Sequence, residues 1–269
     1  MHLKSITKAN FVFHIASVDE YRENFDLTNI ESAGVRGIEF VLPGVHSDIG
    51  GSYLDSIDEI SVIDNHQSDD SDSGRNASKV WKEKRYDEFK KIVVEEGWFT
   101  DKQLQKEFFH EEDFDPLTRW YENQYNYGLV GRRPLKNSYD KIPLHLMVNQ
   151  SKKFKVIYNE NKLKTLTIND PFIERVKNSL GHYINACVDK HNEYVNIYNN
   201  VMQNFEDLSN GYNDELKKIH YQDFIPVEDL KELRNKFLHW SAKDNLLGLS
   251  PTKGGPVVQD KRKRGIYNG

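Results

Sequence analysis

The sequence predicts an α/β fold in which a strand-bearing N-terminal part precedes a large, mostly helical region. Residues 10–17 and 37–44 are apolar runs rich in β-branched and aromatic side chains, which favour strands. Their apolar residues are continuous rather than alternating, as is typical of strands buried on both faces in a parallel sheet covered by helices. From residue 79 onward, apolar side chains recur at the spacing of amphipathic helices.

The two predicted strands end in polar residues at what would be one edge of the sheet. The segment between them, 18–32, is polar and long enough to form the crossover that parallel strands need. Asp19 and Glu20 follow the first strand, and His46 and Asp48 follow the second. In open α/β sheets, functional groups gather beyond the carboxyl ends of the strands. These residues therefore predict a candidate active-site edge.

His46 and Asp48 lie in a turn bounded by glycines, and this pattern admits two interpretations. Gly44, Gly50 and Gly51 permit backbone conformations that would place His46 at the mouth of a pocket. There the histidine would act as a general base if a neighbouring group oriented one ring nitrogen, and Asp48 would either orient the ring or cap the following segment. In the alternative, both side chains only bond backbone groups of the turn.

The sequence divides into four parts. Residues 1–63 carry the predicted strands and their crossover, and the acidic, serine-rich residues 64–78 predict a flexible loop. Residues 79–245 predict the helical region, and residues 246–269 an irregular basic tail. The helices expected in the third part run from Ser78 to a stop at Gly97, from Thr100 or Asp101 to 110, over 138–154 through Pro143, over 170–205 as one broken or two consecutive helices, and over 226–242 through Pro226.

Composition excludes several classes of protein. The formal net charge of -5 gives no general attraction to nucleic acid or anionic lipid, and the basic run 261–264 is expected to be a solvated end. The single cysteine, Cys187, allows no internal disulfide and no cysteine-based zinc site, and its helical context predicts that it is packed. No apolar run approaches the roughly 20 residues of a membrane-spanning helix, so no transmembrane segment is predicted.

The serine pattern G-x-S-x-G, which marks the nucleophile of many hydrolases, is absent from the sequence. The nearest matches, in 248–252 and 179–182, do not follow a predicted strand. The ten histidines are scattered, and His46 with Asp48 supplies too few ligands for a zinc site. His239 ends the last predicted helix, where a charged histidine commonly stabilises the helix C-terminus, and a substrate-facing role is the less favoured alternative.

Two stretches carry a resemblance to a known family. Residues 11–25, FVFHIASVDEYRENF, and 38–53, IEFVLPGVHSDIGGSY, resemble the α/β-hydrolase catalytic domain of bacterial type VI secretion phospholipase effectors and their uncharacterised relatives. Ser52 stands where a third glycine is usual in that family. Three further stretches, 95–99, 130–147 and 233–242, are similar to the family's C-terminal helical portion, so the resemblance extends over most of the chain.

The resemblance implies the C-terminal part of an α/β-hydrolase sheet and ester hydrolysis of phospholipid acyl chains by a Ser-Asp-His triad. His46 matches the histidine that follows the last core strand, so it would be the general base. Asp48 would hold the turn or orient His46, and Asp19 is a further candidate for the acid. The serine and the triad aspartate are expected N-terminal to residue 1, so this chain alone is expected to be inactive.

The resemblance also implies partners and a location. The expected partners are an N-terminal hydrolase half or a secretion component, with a lipid substrate and no nucleic acid, and no cofactor is implied. The location would be the bacterial cytoplasm, with export through a contractile secretion system. Two alternatives stay open: a catalytically dead interaction module, and a metal-dependent phosphoesterase that uses His46, Asp48 and Asp19.

Overall fold

The computed structural model of the protein describes residues 6, 8–22, 24–68, 72–110, 125–200, 205–242 and 266–268. These residues form a mixed α/β fold of helices and small sheets. The strands are β1 (Val12–Ser17), β2 (Leu27–Asn29), β3 (Gly37–Leu42), β4 (Ile57–Ser68), β5 (Leu104–His110), β6 (Tyr125–Leu135) and β7 (Ile266–Asn268). The helices are α1 (His46–Gly50), α2 (Asp72–Glu95), α3 (Lys141–Lys152), α4 (Glu160–Thr165), α5 (Pro171–Asn200), α6 (Phe205–Leu216) and α7 (Val227–Lys236).

The two strands predicted from the apolar runs are confirmed, and they pair in parallel. In the β1–β3 sheet, Val12 pairs with Gly37 and Ser17 with Leu42. The pairing continues just past both strands, since the Val18 N–H donates to the Leu42 carbonyl over 3.0 Å. The two carboxyl ends therefore lie side by side, as parallel pairing requires.

A second sheet, with strand order β4–β6–β5, is antiparallel and was not expected from the sequence. The predicted helix from Thr100 to 110 is wrong: a short 3₁₀ turn, Asp101–Gln103, leads directly into β5. Residues 104–110 form a strand although their apolar side chains have helical spacing. The reason is that β5 pairs along its whole length with β6, and such long-range pairing overrides the local preference for a helix. The region 79–245 is therefore helical only in part.

The predicted loop over 64–78 is also wrong where the structure describes it. β4 extends to Ser68, and α2 starts at Asp72, well before the predicted cap at Ser78. Residues 69–71 lie outside the described residues. Of the predicted irregular tail, 266–268 form β7, which pairs in parallel with β2, and the rest also lies outside the described residues.

The remaining helix predictions are largely confirmed. The stop after α2 is Gly97, which has a φ of +85°. The stretch 170–205 contains the long helix α5 and the start of α6, and Cys187 on α5 is buried, as expected. Burial raises the pKa of its thiol to about 11. The last predicted helix is real, but α7 ends at Lys236, three residues before His239.

One continuous apolar core joins the parallel sheet to the antiparallel sheet and the helices. Helices α2, α5 and α7 all contribute buried side chains to it, together with both sheets. Because β3 packs into this core, the ends of β1 and β3 have fixed positions. The turns that follow the two strands therefore begin from fixed points. The most deeply buried members of the core include Phe40, Leu42, Tyr86, Trp98, Ile173 and Leu233.

Candidate active site

The turn after β3 presents His46 at the carboxyl edge of the parallel sheet. Gly44 has a φ of +105°, which a residue with a side chain rarely adopts. A Cβ on Gly44 would also lie 3.0 Å from the Asp48 side chain. This glycine therefore lets the chain turn sharply from β3 into α1, whose first residue is His46.

The carboxylate that contacts His46 is Glu20, in the turn after β1. The His46 Nδ1 atom lies 2.7 Å from Glu20 Oε2. Arg22 donates to both oxygens of the same carboxylate, from Nε to Oε1 and from Nη2 to Oε2, each over 2.8 Å. Burial alone would raise the pKa of Glu20, but the hydrogen bonds from Arg22 and His46 outweigh it and lower the pKa to about 2. Glu20 is therefore a buried anion at neutral pH.

Stacking fixes the His46 ring in place. The ring lies nearly parallel to that of Phe25, with centroids 4.8 Å apart and an angle of 19° between the planes. The Arg22 guanidinium carbon lies 3.7 Å from the Phe25 ring centroid, within the range of a cation–π contact. The His46 side chain nevertheless keeps 41% of its surface exposed, so solutes can reach it.

The hydrogen bonds around His46 favour one tautomer. Nδ1 lies close to the Glu20 carboxylate and also 2.9 Å from Arg22 Nη2, yet a neutral imidazole nitrogen either donates or accepts. Because the Arg22 fork already donates to Glu20, we assign the proton to Nδ1, which donates to Glu20. Nε2 then accepts from the hydroxyl of Ser47, whose Oγ lies 3.1 Å away.

Asp48 holds the turn, which is one of the two roles predicted for it. Its Oδ2 accepts from the backbone N–H groups of Val45, over 2.9 Å, and of His239, over 3.1 Å. Its Oδ1 lies 2.6 Å from His239 Nδ1. The carboxylate that lies on the His46 ring is that of Glu20, while Asp48 contacts Val45 and His239.

His239 is not at the end of a helix, so the predicted stabilising role at a helix C-terminus is wrong. It lies in the extended segment after α7, buried against Asp48, with its ring stacked on Tyr53 at a centroid distance of 3.4 Å. Its Nε2 is buried and has no hydrogen-bond partner among the described residues. Burial raises the pKa of Asp48, while the bonds from His239 and the Val45 N–H act in the opposite direction.

The segment after α7 is held against the site by a buried arginine. Arg133 on β6 donates from Nε to Glu59 over 2.6 Å and from Nη2 to the Leu238 carbonyl over 2.7 Å. Glu59 in turn accepts from the Trp240 N–H over 2.7 Å. The Ser241 hydroxyl then reaches Glu20 Oε1, 3.1 Å away. A contact between residues so distant in sequence completes the surroundings of Glu20.

Asp19 joins the two turns. Its Oδ2 accepts from the Gly44 N–H over 2.7 Å, and its Oδ1 accepts from the Tyr21 hydroxyl over 3.4 Å. The structure thus places Asp19 on the backbone of the turn and Glu20, one residue later, on His46. Sequence reasoning noted Glu20 only as a polar residue after β1. Neighbouring residues in an extended segment point to opposite sides. This alternation was the signal in the sequence that Asp19 and Glu20 would contact different groups.

One cavity lies near this edge, and an apolar groove lies at the other end of β1. A cavity of about 240 Å³ is bounded by Val18 and Val41 from the ends of β1 and β3 and by residues of α6 and the segment 219–222. A groove of about 310 Å³ lies between the start of β1 and α3, lined mainly by the apolar side chains of Phe11, Phe13, Met147 and Phe154.

The described residues contain no group of three or more His, Cys, Asp and Glu side chains arranged to hold a metal ion. Within the same ranges, no helix is both long enough and apolar enough to cross a membrane. Side chains that can exchange protons, such as His46 and Glu20, lie together at the edge.

No known family model, no curated protein and no solved structure matches this chain. The resemblance to the phospholipase effectors comes from the sequence alone, and the geometry of His46 and Glu20 stands independently of it.

Proposed function

We propose that this chain carries the base of an ester-cleaving site of the serine-hydrolase type. His46 is the general base, and Glu20 is the carboxylate that orients it. The single observation that supports this proposal is the Nδ1–Oε2 distance of 2.7 Å, at the carboxyl edge of a parallel sheet, with the His46 ring still partly exposed. In serine hydrolases the carboxylate holds the imidazole in one tautomer and stabilises the imidazolium that forms during the reaction.

The surroundings of Glu20 suit that role. A base of this kind needs a partner that stays ionised while the ring gains a proton, and the low pKa of Glu20 provides it. Arg22 shares the carboxylate and therefore moderates its negative charge. Phe25 limits the rotation of the ring, so that Nε2 keeps one direction.

The proposed substrate is an ester with an acyl chain, as in a lipid. The cavity of about 240 Å³ beside Val18 and Val41 is of a size to take a short acyl segment. Its wall also contains Glu31, Glu39 and Lys217, so a polar part of the substrate would find partners at the same place. Val18 directly precedes the turn that carries Glu20, so an acyl chain bound in this cavity would lie on the side of that turn.

The proposed partner is a hydrolase half that supplies the nucleophile serine. The β1–β3 sheet has two parallel strands in the described part of the chain, and parallel sheets of that size rarely stand alone. The apolar groove beside β1 gives such a half a surface to pack on. Both features favour the addition of strands at β1.

The test is ester hydrolysis by a protein that contains this chain and the serine-bearing half. His46→Ala is expected to lower kcat/KM for short-chain p-nitrophenyl esters by at least about 10³-fold, because no other group would take the proton of the nucleophile. Glu20→Gln is expected to have a smaller effect of the same sign. The matched control is His182→Ala, which removes an exposed histidine on α5. Unchanged turnover in the His46→Ala protein would contradict the proposal.

A second candidate function is an interaction module without catalysis, which the apolar groove beside β1 also favours. A stable complex with a partner that has no hydrolase half, together with no ester hydrolysis, would support it. The phosphoesterase alternative has no set of metal ligands in the described ranges.

A further inference from the structure

We infer that the cavity of about 240 Å³ at the ends of β1 and β3 binds a neutral polyhydroxyl group, such as a sugar ring or another polyol. The inference deepens the proposed function, on which it rests for the source of the ligand, because it names the polar part of the ester. The cavity is smaller than the roughly 300–1,000 Å³ of sites for drug-sized ligands, so it suits a group of about one ring.

The wall of this cavity is more polar than an acyl chain alone requires. Glu39 and Val41 lie on the same face of β3, because they are two residues apart in a strand. The faces of parallel strands are normally apolar, so a carboxylate that lines a cavity on such a face calls for a polar ligand. The polar side chains of the wall, apart from its tyrosines, are Glu31, Glu39, Asn213, Lys217, His220 and Gln222.

The pairing of the carboxylates favours a ligand without charge. Glu31 Oε1 lies 2.9 Å from Lys217 Nζ, and Glu39 Oε2 lies 2.6 Å from His14 Nδ1. A charged ligand would compete with these basic partners and would lose its own hydration on entry. A neutral hydroxyl can donate to the other oxygen of each carboxylate and leave both pairs intact, because a carboxylate accepts several hydrogen bonds.

The mixture of donors and acceptors favours hydroxyl groups in particular. Asn213 donates from Nδ2 to the Glu31 carbonyl over 3.0 Å, and its Oδ1 is an acceptor, like the carboxylate oxygens. Lys217, His220 and Gln222 add donors at exposed positions of the wall. A hydroxyl both donates and accepts, so neighbouring hydroxyls on one ligand can bond to both kinds of group. An ammonium group only donates, and an acyl chain does neither.

Two tyrosines supply an apolar surface to the same cavity. The Tyr183 hydroxyl accepts from the Val41 N–H over 3.0 Å. The Tyr212 hydroxyl donates to the Gly37 carbonyl over 2.9 Å and lies 2.9 Å from His191 Nδ1. Both hydroxyls thus have partners in the chain, so these side chains offer a ligand mainly their rings. The electron-rich face of an aromatic ring attracts weakly positive C–H groups, such as those of a sugar ring.

The test is binding to this chain, followed by NMR titration of the ¹⁵N-labelled protein with three probes. Methyl β-D-glucoside carries the polyol alone. Octyl β-D-glucoside, used below the concentration at which it forms micelles, adds an apolar chain, and octyltrimethylammonium carries the same chain with a cation in place of the polyol. We expect both glucosides to shift the side-chain amide resonances of Asn213 and Gln222. Octyl glucoside is expected to bind at least about 10-fold more tightly than either other probe, because it satisfies both parts of the wall.

Variants of the wall connect the binding to named side chains. Glu39→Gln is expected to weaken the binding of both glucosides at least about 10-fold, because a charged acceptor becomes a neutral amide. Glu228→Gln, the same change at an exposed position on α7, is the matched control and is expected to bind normally. Because Glu39→Gln also changes the partner of His14, Gln222→Ala serves as a second variant, with an expected loss of about 3-fold.

Two results would overturn the inference, and they separate it from the proposed function. If octyltrimethylammonium binds at least as tightly as octyl glucoside and methyl glucoside does not bind, the polyol site is refuted and the proposed acyl site stands. If no probe binds while circular dichroism shows folded protein, the cavity holds neither part of the ester, and the proposed function then depends on the His46→Ala result alone. Equal binding of the two glucosides would support the polyol site and identify a free sugar, rather than a lipid, as the source of its ligand.

Discussion

The Glu20 carboxylate is buried and contacts the side chains of Arg22, His46 and Ser241. Each of these donates to it or shares a proton with it, so the ionised form is held by several charge-assisted hydrogen bonds. Such bonds are worth more than neutral ones because the acceptor carries a full charge. The free energy of unfolding therefore depends on whether Glu20 is ionised.

This dependence gives a prediction about acid stability. The folded-state pKa of Glu20 is about 2, below the ordinary value of 4.5. The ionised Glu20 carboxylate therefore contributes in full to the free energy of unfolding above pH 4.5. This contribution, on the order of 3 kcal/mol, is lost as the pH falls toward 2. Urea unfolding is expected to show that Glu20→Gln destabilises the protein more at pH 7 than at about pH 3. An equal loss at both pH values would contradict the assignment.

At the scale of elements, β1 is the edge strand of the candidate site. It pairs with β3 on one side, and the groove formed with α3 exposes Met147 and Phe154. Exposed strand edges next to apolar side chains tend to take up another strand. A further strand would add along the side of β1, whereas Glu20 lies beyond its carboxyl end.

The element-scale prediction concerns this groove. Phe154→Asp would put a charge on the proposed interface, so the affinity for the hydrolase half is expected to fall at least about 10-fold. Val227→Asp, at an exposed apolar position on α7, is the matched control and is expected to bind normally. Isothermal titration calorimetry measures both. Equal affinities for the two variants would show that the partner does not bind at β1.

At the scale of the whole molecule, a buried contact between two side chains links the N-terminal and C-terminal parts of the described chain. Asp48 and His239 lie 191 residues apart in the sequence and meet over 2.6 Å, almost fully buried. Arg133 fixes the same segment through the Leu238 carbonyl. Removal of one partner leaves a buried polar group without its hydrogen bond, which costs about 1–3 kcal/mol and more where that group is charged.

A double-mutant cycle tests the strength of this link. Asp48→Asn and His239→Ala are each expected to lower the free energy of unfolding by about 3 kcal/mol, and the double variant by clearly less than the sum. His145→Ala, at an exposed position on α3, is expected to have little effect. Additive losses in urea unfolding would show that the two side chains do not stabilise the fold as a pair.

Local features were predictable where local chemistry decides the structure. The apolar runs gave β1 and β3 their strand conformation, and Gly44 made the sharp turn that places His46. β5 was not predictable because it forms through pairing with β6, and no pattern within 104–110 specifies that partner. The same limit applies to the site: Glu20 approaches His46 only when β1 and β3 pair, and Asp48 finds His239 only when the segment after α7 folds back.

The contact between Ser241 and Glu20 spans 221 residues, and it has a consequence for synthesis on the ribosome. The chain emerges from its N-terminus, so His46 and Ser47 are made long before residues 238–241 can close over them. Contacts of such long range form late in folding. The nascent protein therefore carries His46 and Glu20 in an unfinished setting, and their final arrangement appears only after almost all of the described chain has been translated.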